Sequence, residues 1–327
     1  RVLKIEGGER TQDAPGVLPT FVLRHVLPIA VTLHKRDIMP DDRVVESVAD
    51  VIKVTSPEHA RLAAMLAADL KQEVKRTRFD EALAGRLFGQ INEYPSYLDR
   101  ASADTGNEGP AGSRSYTRRY PDEVGGAVVS SAPGLPCDQL LDKELWLVNK
   151  LRSEIAEGRR VLLFLWHKDL AARLCRLVED AIGEKPAFLD ADKVPARKRQ
   201  EWIDKNVVGK KKVMVTNPSC VMTGLNNLIW FSTAVFFENP GVNPFIARQA
   251  IGRLDRITQK LPVRVFWPVY EGVQAMLFEL LQQKIAIAQQ IDGIDPTAAL
   301  GMVGGGDQAA ASVDVGLAIW KYLGGEV

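Results

Sequence analysis

Apolar positions along the chain fall into two textures. Over 60–74, Leu62, Met65, Leu66 and Leu70 recur at helical spacing and predict a helix. A second helical stretch at 81–91 stops at Asn92-Glu93-Tyr94-Pro95, because proline disfavours helix in the residue before it. From about residue 138 short, continuous apolar runs alternate with amphipathic segments. Val161-Leu162-Leu163-Phe164-Leu165-Trp166 predicts a fully buried strand, with further strands at 187–189, 212–215, 234–238 and 263–269. Helices are expected at 140–155, 169–182, 196–206 and 271–291. Runs without polar alternation suit strands covered on both faces, so the fold class is α/β: a three-layer parallel sheet with helices on both faces.

The remaining stretches lack this periodicity. Residues 1–20, with Gly7, Gly8, Pro15, Gly16 and Pro19, read as an irregular lead-in; 100–136, dense in Gly, Ser, Pro and charge, reads as a mobile insertion. A glycine-rich spacer at 301–306 precedes a short terminal helix at 313–323. The expected organisation is a mainly helical N-terminal extension over 1–137, an α/β lobe over 138–293, and a tail over 294–327.

Composition narrows the function classes. The 327 residues are 46% hydrophobic and 25% charged, enough for one large core plus extensions. A formal net charge of +1 gives no global attraction to nucleic acid, so any such contact must come from local patches. The three cysteines, Cys137, Cys175 and Cys220, are too far apart for a disulfide framework or a paired zinc site, which favours a reducing, cytoplasmic setting. No metal site is expected on this chain. Neither a signal peptide nor an apolar run of roughly 18 residues is visible, so no membrane partner is expected.

The densest chemistry lies in Gln249-Ala250-Ile251-Gly252-Arg253-Leu254-Asp255-Arg256-Ile257-Thr258-Gln259, between the expected strands ending at Glu238 and beginning at Val263. Two arginines three apart at a helix end can point at one anion, and a rigid guanidinium fork suits charge developing on a transferring phosphoryl group. On the arginines alone, a surface helix end whose cations merely favour the helix dipole is an equal reading.

The surrounding match breaks that tie. The segment resembles motif VI of superfamily 2 helicases, and its Ile-x-Gln continuation resembles the Swi/Snf-type branch. Asn239-Pro240-Gly241-Val242-Asn243-Pro244 is similar to the family's Asp-x-x-Trp-Asn-Pro turn, with Asn239 for the aspartate and Val242 for the tryptophan. Pro262-Val263-Arg264-Val265 resembles the strand that follows motif VI. Motif V corresponds to 213–226, where Gly224-Leu225-Asn226 matches, while Cys220-Val221-Met222 replaces the family's Ala-Gly-Gly. Gly224 is expected to need a positive φ. Motif IV corresponds to 161–166, ending in His167-Lys168 where the family has Phe-Ser-Gln. Segment 189–200 resembles a Leu-x-Gly strand end followed by an Arg-Gln helix, and 193–212 holds eight Lys or Arg against two acidic residues, which suits a phosphate-facing patch or a solvated helix face. Fainter likenesses fall at 31–37 and 91–95.

The resemblance implies half of an ATPase site. Nothing fits G-x-x-x-x-G-K-[ST], and neither Asp80-Glu81 nor Asp122-Glu123 follows a hydrophobic strand, as a magnesium-binding acid must. ATP and Mg2+ are then expected mainly on an N-terminal RecA-like lobe of the same parent, preceding Arg1. As implied, Arg253 and Arg256 are catalytic; Gln249, Gly252, Gly224 and Asn226 are nucleotide-side residues. Thr223, His167, Lys168, Arg197 and Lys198 are candidates to contact duplex DNA. The expected setting is cytoplasmic, nucleoid-associated if bacterial. Two alternatives stay open: a strand-separating RNA or DNA helicase, and an interaction module that keeps the fold without the activity.

Overall fold

The computed structural model describes residues 2–5, 8–11, 45–76, 92, 115–120, 126–133, 139–222, 224–241 and 243–291. The helices expected at 81–91 and 313–323, the spacer at 301–306 and Thr223 lie outside the described residues.

The lobe is built on a six-stranded sheet, all of whose pairings are parallel, in the order β3-β10-β9-β6-β8-β7. The strands are β3 (Glu46–Ile52), β6 (Val161–Phe164), β7 (Ala187–Leu189), β8 (Val213–Thr216), β9 (Thr233–Phe236) and β10 (Arg264–Tyr270). Their side chains alternate between two cores. Val161, Leu163, Val213, Val215 and Val235 pack with Leu147, Leu151, Leu174 and Val178 of helices α2 (Asp142–Ala156) and α3 (Ala171–Ile182). Leu162, Phe164, Met214, Ala234 and Phe236 face the other way. They meet Ile203 of α4 (Arg199–Asn206), Ala247, Ala250 and Leu254 of α5 (Pro244–Leu254), and Leu281 of α6 (Val273–Ile291). This two-sided burial is why the strands read as unbroken apolar runs.

Three stretches differ from the sequence expectation. Glu46–Ile52, assigned to the N-terminal extension, is an edge strand of the sheet, paired with β10 from Arg264↔Glu46 to Tyr270↔Ile52. It escaped notice because its sequence, Glu-Ser-Val-Ala-Asp-Val-Ile, carries two acids that an edge strand tolerates. The lead-in is not irregular: β1 (Val2–Ile5) and β2 (Gly8–Thr11) form an antiparallel pair with Lys4 opposite Glu9. The insertion also holds an antiparallel pair, β4 (Ser115–Tyr120) and β5 (Ala127–Pro133), with a register shift at Arg118/Arg119. Tyr116, Thr117, Tyr120 and Val128 are strand formers that the Gly/Ser-rich composition of the wider window outweighed. Helix α1 (Pro57–Arg76) appears as expected, with Glu58 in its first turn and Lys75 and Arg76 in its last, matching the helix dipole.

A charged network ties the starts of the strands together. Glu154 of α2 lies 3.1 Å from Arg159 Nε, accepts from Thr233 Oγ1 at 2.6 Å, and accepts from Arg264 Nη1 at 3.2 Å. Arg264 also pairs with Glu157 and with Glu46 at the start of β3, so the edge strand is fixed electrostatically as well as by its ladder.

Candidate functional site

The connection from β8 to β9 (217–232) carries no α-helix among its described residues and lies against α5. It opens with Asn217, whose Oδ1 accepts from Ser219 N at 2.9 Å and whose Nδ2 donates to Trp166 O at 2.9 Å. Cys220 and Val221 are buried in the core, which explains residues bulkier than Ala-Gly-Gly at this turn. Leu225 is buried beside them, and Gly224 between them has φ +70°. That conformation is costly for a residue with a Cβ, as the sequence reading expected of this turn.

Side chains from two helices hold this loop by its backbone. Arg199 Nη1 donates to Cys220 O at 3.0 Å, and Gln200 Oε1 accepts from Asn226 N at 2.9 Å. From the other side, Arg253 Nη2 and Nε donate to Met222 O at 2.6 and 3.2 Å, and Nη1 reaches Leu225 O at 3.5 Å.

Helix α5 starts at an Asn243 cap, with Pro244 in the first turn and the Asn243 side chain accepting from Phe245 N. Ala247, Ala250 and Leu254 face the core. Helical spacing therefore puts Gln249, Gly252 and Arg253 on the outer part of the helix, with Gly252 exposed and open space where a Cβ would stand. The helix ends at Leu254, so Arg256 lies in the following turn rather than on the helix. Burial, then the positive charge of Arg256, lowers the Arg253 pKa from its ordinary value. Arg256 Nε is buried with no hydrogen-bond partner. An Arg253 guanidinium whose charge is disfavoured, beside an Arg256 with an unsatisfied donor, makes a place where an anion relieves both penalties.

The other sequence candidates sit elsewhere. His167 Nδ1 lies 2.8 Å from Glu238 Oε1, while Glu238 Oε2 accepts from the N–H groups of Trp166 and His167 at 2.8 and 2.9 Å. His167 is thus tied to the end of β9, and Lys168 pairs with Asp192 beyond β7. Arg197 and Lys198 occupy an exposed turn, Ala196–Lys198, at the head of α4. The basic stretch is only partly open: Lys210 Nζ and Lys211 Nζ donate to Lys205 O and Lys185 O. Asn239, in the place of the family's aspartate, has both side-chain polar atoms buried without a partner.

The sequence marked Arg199, Gln200 and Gln259 only as part of the resemblance and gave no bracing role to them or to Glu238: Arg199 and Gln200 hold the loop from α4, Glu238 the strand ends, and Gln259 the turn after α5. A carboxylate closing the apolar run Thr233-Ala234-Val235-Phe236-Phe237 was the one visible signal for Glu238. No group of three His, Cys, Asp or Glu able to hold a metal occurs among the described residues, and no described helix is long and apolar enough to cross a membrane.

No protein-family model and no curated protein matches the chain. Among solved structures, it is similar to the C-terminal part of the Fun30 ATPase domain, with a TM-score of 0.53 and 14% identity over 73% of this chain and 89% of that one. The C-terminal domain of the DEAD-box protein Dbp5 also matches, with a TM-score of 0.35 and 18% identity over 43% of this chain and 77% of that one. The likeness to the Fun30 part is one of fold: this chain has a RecA-like α/β architecture, a parallel sheet with helices on both faces.

Proposed function

We propose that this chain is the second motor lobe of a Swi/Snf-type, DNA-dependent ATPase. It would supply Arg253 and Arg256 to a nucleotide site completed by an N-terminal RecA-like lobe of the same parent. The observation that carries the reading is the arginine pair: one guanidinium braced on the loop after β8, the other beside it with a buried, unsatisfied Nε. The donor set fits the oxygens of a nucleotide's terminal phosphate, and ATP bound on the first lobe would supply the phosphoryl group that is transferred to water. Arg256 would meet charge developing on that group, and Arg253 would link the same event to the 220–226 loop. Gln249 and Gly252 line the outer side of α5, and Asn226 closes the loop through Gln200. Arg197 and Lys198 would contact the backbone of duplex DNA, which suits recognition without sequence preference.

The test is DNA-stimulated ATPase activity of the intact parent. Arg253→Ala and Arg256→Ala should each lower turnover by about a thousandfold. Lysine should rescue neither, since it keeps the charge but loses the planar fork. Normal activity in both alanine variants would sink the reading.

One observation favours a second reading, an interaction module that keeps the fold without turnover. Cys220 and Val221 are committed to the core, so this loop cannot approach a phosphate as a glycine pair could. Absence of DNA-stimulated hydrolysis by the unaltered parent would select it.

A further inference from the structure

We propose that Gln259 is the positioning residue for Arg256: its side-chain amide tethers the turn that carries Arg256 to the connection entering β9. The inference rests on reading the arginine pair as phosphate-facing. Because α5 stops at Leu254, the helix does not set the direction of Arg256. No fully buried side chain of the turn anchors it either. Between the buried residues Leu254 and Val263 no residue is fully buried, and Ile257 and Leu261 are 56% and 42% exposed. Arg256 Nε makes no hydrogen bond that would hold the side chain in place.

The Gln259 amide supplies the missing constraint. Its Nε2 lies 3.2 Å from Leu254 O, 3.2 Å from Ile229 O and 2.9 Å from Phe231 O. Its Oε1 accepts from Lys260 N at 3.0 Å and Leu261 N at 3.3 Å. Two N–H groups shared among three carbonyls cross-link the end of α5, the close of the β8–β9 connection and the entry to β9. Leu254 O is one of the carbonyls a helix C-terminus leaves open, so the same contact caps α5. Within the closed turn, Arg256 N donates to Leu254 O at 3.1 Å and Gln259 N to Arg256 O at 2.9 Å. Both backbone ends of Arg256 are thereby fixed, so its side chain leaves from a set point, close enough to Arg253 for the two charges to interact.

The experiment is steady-state ATPase activity of the intact parent carrying Gln259→Ala, Gln259→Glu, Arg256→Ala, or Gln259→Ala with Arg256→Ala. Gln259→Glu keeps the acceptor for Lys260 N and Leu261 N but sets an oxygen against three carbonyls, and it serves if the alanine variant fails to fold. Misplacing a catalytic group by about 1 Å costs on the order of a hundredfold in rate. Each Gln259 variant should therefore lower kcat by about 10- to 100-fold, with KM for ATP changed by less than about threefold. Gln259→Ala should add nothing to Arg256→Ala, a non-additivity that a merely structural role would not produce. Unchanged kcat in the Gln259 variants while Arg256→Ala is inactive overturns the proposal, as does full additivity. If Arg256→Ala is itself fully active, the functional reading fails first. The tether is then decided on this chain by hydrogen exchange, where Gln259→Ala should speed exchange at 255–261 and leave β9 and β10 unchanged. Unaltered exchange in that turn overturns it.

Discussion

Arg253 grips the carbonyl of Met222 with two of its nitrogens, Nη2 at 2.6 Å and Nε at 3.2 Å, and so ties the last turn of α5 to the loop after β8. In the sequence Arg253 and Arg256 read as an equivalent pair of cations at a helix end. The structure separates them: Arg253 is built into the fold and Arg256 is not.

Arg253→Ala should therefore destabilise the isolated chain by about 1.5–3 kcal/mol, the scale of hydrogen bonds from a charged donor. Arg256→Ala should cost less than about 0.5 kcal/mol, because it removes a buried donor that has no partner. Urea titration of both variants checks this; equal losses would mean that Arg253 does not brace the loop.

The network at the start of the strands supports a larger effect. Glu154 is 3% exposed and serves Arg159, Thr233 and Arg264 together. Glu154→Ala leaves buried Arg159 without its carboxylate and should cost about 3–5 kcal/mol. Glu154→Gln keeps acceptors for two of the three donors and should cost less. Denaturant midpoints decide, and a neutral Glu154→Ala would show that the network adds no stability.

For nucleic acid, the exposed and the engaged cations should behave differently. Arg197→Ala and Lys198→Ala should each reduce the slope of log K against log salt for duplex DNA by about 0.9, the share of one phosphate contact. Lys210→Ala and Lys211→Ala should change it less, since both ammonium groups already cap backbone carbonyls. Filter binding or fluorescence anisotropy at several salt concentrations gives the slopes. Equal slopes for all four variants would remove Arg197 and Lys198 from the interface.

The core of the lobe was legible because burial on both faces writes itself into composition: Val161–Phe164 and Thr233–Phe236 contain no charged residue. Strand β3 was not, since Glu46 and Asp50 hide an edge strand whose acids bond to Arg264 and to Trp146 Nε1. At the site, the spacing of Arg253 and Arg256 was legible, as was the need for Gly224, whose φ confirms it. The bonds to Met222 O, Cys220 O and Ile229 O were not. A backbone carbonyl has the same chemistry at every residue, so no sequence pattern announces which one a side chain will reach.

Lys143 yields a prediction in pH. It is 1% exposed, its Nζ donates to Gln274 Oε1 at 3.2 Å, and it sits 5.0 Å over the Phe237 ring and 5.7 Å over the Tyr270 ring. Burial pushes its pKa down from the ordinary lysine value of 10.5 to about 7, with Glu238 partly opposing the shift. The neighbouring titratable groups are His167 on Glu238, His59 edge-on to Tyr270, and Glu144, which is paired with Arg173. Because the folded pKa lies below the unfolded one, the unfolded chain holds the proton more tightly throughout the window between about 7 and 10.5. Raising the pH through that window therefore stabilises the fold, by at most about 1.4 kcal/mol per unit, and below it the burial penalty is felt in full. Lys143→Met removes the titration without changing the length of the side chain much. Its stability relative to the unaltered chain should be highest at pH 6–7 and should fall steadily toward pH 10, as the unaltered chain sheds its penalty. Other titrating groups contribute to both proteins and cancel in the difference. Urea midpoints for the two chains across pH 6–10 measure it, and a difference that stays flat would show that Lys143 keeps its proton throughout and that Glu238, not neutralisation, offsets its burial.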